Sequence, residues 1–70
     1  EQEMVLAAGA TEKPAAFEAY QLGVYALNRR TESDLRQAVE AFRRAVEVDP
    51  AYSQAYAGLA DAYNMLDYYK

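Results

Sequence analysis

The residues able to do chemistry in this chain are mainly acids in pairs. Glu32 and Asp34, Glu47 and Asp49, and Asp61 and Asp67 each set two carboxylates near one another. Such pairs serve general acid–base catalysis when burial or a charged neighbour shifts a pKa. Here each pair falls on a polar helix face or a helix end, and nothing local supplies the burial. The chain has no histidine and no cysteine. That removes the usual proton shuttle, the usual zinc ligands and any disulfide framework. Ser33 and Ser53 have no base to activate them and read as helix caps. Asp61 with Asn64 offers one turn of oxygen ligands, well short of a calcium loop. The stretch AAGAT lacks the strand and lysine of a phosphate loop. The expectation is no enzyme, no catalytic residue, no cofactor and no metal.

Composition narrows the class further. Seven basic against eleven acidic side chains give a net charge of −4. Nucleic acid requires a basic face, and Arg29-Arg30 and Arg43-Arg44 are too few and too diluted by acids to make one. No apolar run approaches the ~20 residues that span a bilayer. EMVLAAGA is a short apolar patch without the basic start of a signal peptide. The chain opens on Glu1, as expected of a segment cut from a larger protein. A reducing cytoplasm is compatible with this composition and is the expected compartment.

Positioning falls to three helices. Thr11-Glu12-Lys13-Pro14 is a helix entrance, since proline loses nothing in a first turn. From about 14 to 28, Phe17, Tyr20, Val24 and Leu27 recur on one side. Ala16, Ala19, Leu22, Gly23 and Ala26 form a second, smaller-residue side, so contacts are expected on both. From about 32 to 48, Leu35, Ala38, Val39, Phe42, Ala45 and Val46 make an amphipathic stripe. Thr31 and Ser33 are its two candidate caps. On its wet face Glu32–Arg36, Glu40–Arg44 and Arg43–Glu47 stand at i, i+4. Pro50 stops that helix at Asp49. Tyr52-Ser53 opens a third, with Tyr56, Leu59, Ala60, Tyr63 and Leu66 expected to face the helix before it. Ala55, Ala62 and Met65 would then face a following helix. Residues 2–8 could add a short helix. No segment alternates with period two, so the class is all-α.

Ala38, Phe42, Ala45 and Pro50, followed by Tyr56, Leu59, Ala60 and Tyr63, resemble the second helix of one tetratricopeptide repeat and the first helix of the next. Leu22 and Gly23 stand where the preceding helix of a repeat wants its leucine and small residue. Its flanking aromatics are replaced by Ala19 and Ala26, and about three extra residues are expected in the turn 28–34. The resemblance implies a right-handed α-solenoid fragment of about one and a half repeats: an antiparallel helical hairpin plus one further helix. Residues 1–13 would be an extension, 14–50 one repeat, and 51–70 the first helix of the next. More narrowly, residues 17–66 look like the repeats attached to bacterial class III adenylate/guanylate cyclase-like proteins and winged-helix regulators.

That resemblance implies a protein-interaction module from a larger bacterial signalling or regulatory protein. It places Phe17, Tyr20, Val24, Leu27 and Asn28 of the first helix on a concave groove. Gln54, Ala57, Asp61, Asn64 and Met65 of the third would line the other side. The expected partner is a protein or peptide. The corresponding surface has no lysine, so a clamp for a terminal carboxylate is not expected. The alternative is a structural linker or self-association segment with no third-party ligand. Apolar faces left open at both ends make self-association, as a homodimer or higher assembly, the expected state.

Overall fold

The computed structural model describes residues 9–69. The short helix expected over 2–8 lies outside them. The described residues form three helices and no strand: α1 (Pro14–Arg29), α2 (Glu32–Val48) and α3 (Ser53–Asp67). None is long and apolar enough to cross a membrane, among the described residues.

Local chemistry sets each boundary. Pro14 opens α1 after an extended Lys13, whose carbonyl accepts the Phe17 N–H at 3.0 Å. Arg30 ends α1 in the left-handed region at φ 66°, a place where glycine is the usual residue. Thr31 caps α2, its Oγ1 accepting the Asp34 N–H at 3.0 Å. The Asp34 carboxylate in turn accepts from the Thr31 hydroxyl at 2.7 Å and from Arg29 at 3.3 Å. The turn is therefore only Arg30 and Thr31. The extra residues expected over 28–34 are wound into the ends of α1 and α2 instead. Asp49 closes α2 in extended conformation, donating its N–H to the Ala45 carbonyl at 2.9 Å, and Pro50 follows. Neither expected serine cap forms. Ser33 lies inside α2, and α3 starts from Tyr52 with no side-chain cap.

Short turns make the helices run up, down and up. The middle helix supplies most of the core, burying Leu35, Ala38, Val39, Phe42 and Ala45. Ala16, Ala19, Gly23 and Ala26 come from α1, and Ala55 and Ala62 from α3. Phe42 sits between two glycines. A Cβ on Gly23 would stand 2.6 Å from its ring, and a Cβ on Gly58 would also stand 2.6 Å away. Tyr52, in the α2–α3 turn, is the largest fully buried side chain. Tyr20 bridges the two regions, its ring 5.7 Å from Phe42 and 5.2 Å from Tyr52.

The rotation of α3 corrects the sequence expectation. Ala55 and Ala62 point into the core, with Leu59 and Leu66 packed at its edge. Tyr56 and Tyr63, expected to fill that layer, are 47% and 51% exposed, and Ala60 is exposed beside them. The cause is spacing: Gly58, Ala55 and Ala62 bring the helix backbone too close to α2 for two further rings. Leu22, expected as a packing residue, is 64% exposed, because Ala19, Gly23 and Ala26 take the contact with α2. On the wet side of α2, Arg36 meets Glu32 at 2.8 Å and Arg43 reaches Glu40 at 3.9 Å. The last of these is an i, i+3 partner in place of the expected Arg43–Glu47 pairing.

Candidate interaction surface

The groove residues divide by depth. On α1, Phe17 is 47% exposed, Tyr20, Val24 and Leu27 are half-buried, and Asn28 is exposed. Tyr20 is anchored by Phe42 and Tyr52, so it forms the floor of the surface more than a free contact. Val24 and Leu27 rest on the cluster of Ala26, Ala38, Val39, Phe42 and Ala62. On α3, Gln54 and Met65 are half-buried, while Ala57, Asp61 and Asn64 are exposed. The Gln54 N–H is fixed by the Gly9 carbonyl at 3.1 Å. Asp61 is the one charged residue among these ten.

The expected packing residues also divide. Gly23, Ala38, Phe42 and Ala45 are buried together, and Leu59 is half-buried against them. Leu22, Pro50, Tyr56, Ala60 and Tyr63 are exposed.

A groove of about 360 Å³ continues from Met65, lined also by Arg30, Leu35, Tyr68 and Tyr69. Sequence reasoning placed only Met65 there. The Tyr69 hydroxyl donates to the Arg30 carbonyl at 2.7 Å and ties the end of α3 to the α1–α2 turn. Tyr68 packs edge-on against Tyr69, with ring centroids 5.4 Å apart. The doublet after α3 was the available signal, but its partner lies 39 residues away in sequence and no local pattern points to it.

Among the described residues, three ionisable groups are shifted, and each has a structural cause. The Thr11 hydroxyl, donating to the Asp49 carboxylate, holds that carboxyl below its usual range, and the Ala51 N–H adds to the effect. Burial pushes the Tyr52 phenol up, helped by Tyr20 and Asp49 nearby. The hydrogen bond and charge of Asp34 raise Arg29, so this guanidinium stays charged. None of the three is among the ten residues expected to line a groove. No family model, curated protein or solved structure matches this chain.

Proposed function

We propose that this chain is a non-enzymatic protein-interaction module of tetratricopeptide type, part of a bacterial signalling or regulatory protein of the cyclase-like or winged-helix kind. The observation that carries the reading is the exposure pattern of the α1 and α3 residues that the resemblance assigns to a groove. On α1, Phe17 is exposed and Tyr20, Val24 and Leu27 are half-buried; on α3, Ala57, Asn64 and a single carboxylate, Asp61, are exposed. Such a face suits a peptide with two or more apolar anchors and one cation, bound as a helix or an extended segment. The half-buried α1 side chains would supply contact area, and Asp61 would orient the ligand.

Titration with a library of apolar-basic peptides tests this. Phe17→Ala is expected to weaken binding by roughly tenfold through lost apolar area. Asp61→Asn should weaken basic peptides only, by about two- to fivefold and less in high salt. Absence of saturable binding by every peptide would sink the reading. The second reading, a self-association or linker segment without a third-party ligand, draws support from the wet Leu22, Tyr25, Tyr56 and Tyr63.

A further inference from the structure

Residues 9–13, which lead into α1, are held by the chain around the α2–α3 turn. The Gly9 carbonyl accepts the Gln54 N–H at 3.1 Å. The Thr11 hydroxyl donates to the Asp49 carboxylate, and the same oxygen accepts the Lys13 N–H at 3.1 Å. The Lys13 ammonium reaches the Val48 carbonyl at 3.4 Å. This strap thus touches the end of α2, the turn after it and the first turn of α3. Gly9 lies directly against α3: a Cβ placed on it would stand 3.0 Å from the Ser53 Cβ and 3.4 Å from the Gln54 Cγ. None of residues 9–13 is fully buried. Hydrogen bonds hold the strap more than apolar burial does, so it can part without opening the core.

Its position bears on the groove residues. The helices run up, down and up, so α1 and α3 both begin at this end. Phe17 stands in the first turn of α1, its N–H bonded to the Lys13 carbonyl at 3.0 Å. Gln54 stands in the first turn of α3, half-buried under Gly9. The strap therefore runs from one helix start to the other, and it already occupies a residue that a ligand in the groove would touch.

We infer that residues 9–13 close the α1–α3 groove at the end where both helices begin, and that a peptide reaching past Phe17 and Gln54 must part them. This rests on the reading of those residues as a peptide groove and adds its regulation, because the closed strap competes with the ligand. Apparent affinity is then the intrinsic affinity scaled by the fraction of molecules whose strap is open. The Thr11–Asp49 bond dominates that fraction, since its acceptor is ionised and the Lys13 bond is long.

Titration of the full chain with apolar-basic peptides decides it, with helix content followed by circular dichroism. Thr11→Val removes the donor and keeps the side-chain shape. It should tighten peptide binding by about three- to tenfold. Without peptide, it should also speed exchange of the Gln54 amide. The pair Gly9→Cys and Ser53→Cys locks the strap, since the two Cβ positions lie within about 1 Å of disulfide spacing. Oxidised, this variant should bind at least about tenfold more weakly than after reduction. Equal affinity in the two redox states overturns the inference, and so does a Thr11→Val chain that binds no tighter than wild type. Should Thr11→Val lose helix content, the cysteine pair compared with itself across reduction carries the test alone. Saturable binding that ignores the strap fails this inference only. Absence of binding in every form fails the groove reading and the strap with it.

Discussion

Asp49 joins three parts of the chain through its side chain and its backbone N–H. Its carboxylate accepts from the Thr11 hydroxyl and from the Ala51 N–H at 3.1 Å, and its own N–H ends α2. Those bonds favour the ionised form, so the carboxyl releases its proton at lower pH when folded than when unfolded. The stabilisation is complete above the unfolded value, near pH 4, and fades as the pH falls through the lower folded one. Asp49→Asn should therefore cost stability at neutral pH, and the deficit should shrink steadily as the pH is lowered to about 2. Thr11→Val should show the same trend with the carboxylate in place. Denaturant melts at several pH values measure it; a deficit of constant size would mean that the Thr11–Asp49 bond does not set the titration. Asp49-Pro50 was legible as a helix stop because proline acts locally. Its bond to Thr11 was not, since nothing in either segment signals a partner 38 residues distant.

At the scale of the element, legibility followed how sharply each helix is patterned. The middle helix alternates charged and apolar faces, and all five residues that it buries lie on the stripe read from the sequence. The third helix has alanines on every side, at 55, 57, 60 and 62, so no stripe stands out and the large tyrosines took the weight. The observed contact selects the small residues because Phe42 occupies the space between α1 and α3. That leads to a coupling between Gly58 and Phe42. A methyl group at position 58 would meet the ring at 2.6 Å, and the ring cannot retreat because Gly23 approaches it from the other side. Overpacking of this sort costs about 1–3 kcal/mol, against a gain of about 1 kcal/mol in helix propensity. Gly58→Ala is thus expected to be destabilising in the wild type. In a Phe42→Leu background, with the ring removed, the same change should be neutral or stabilising. Equal effects in the two backgrounds would show that the ring has room to move.

Among the described residues the three helices form a stack in which α2 is held on both sides and α1 and α3 pack mainly on α2. The third helix is the more weakly anchored of the two outer ones. It buries only Ala55 and Ala62 fully, against four buried residues on α1. What fixes it lies at its ends. Tyr52 is sunk in the core at the start, with the Gly9 carbonyl on Gln54, and at the far end the Tyr69 hydroxyl meets the Arg30 carbonyl. Opening of the structure should therefore begin at the far end of α3, because no described residue after Ala62 is fully buried there, Met65 and Leu66 being only half-buried. Native-state hydrogen exchange is expected to rank the amides accordingly: slowest around Phe42, faster in the first half of α3, fastest over the turn that ends at Asp67. Tyr69→Phe keeps the ring and removes only the donor, at a cost of about 0.5–1.5 kcal/mol. It should speed exchange over the last turn of α3 by roughly two- to twelvefold and leave the amides around Phe42 within a factor of two. A uniform acceleration across all three helices would mean that the chain opens only as a unit, with the tyrosine latch contributing to global stability alone.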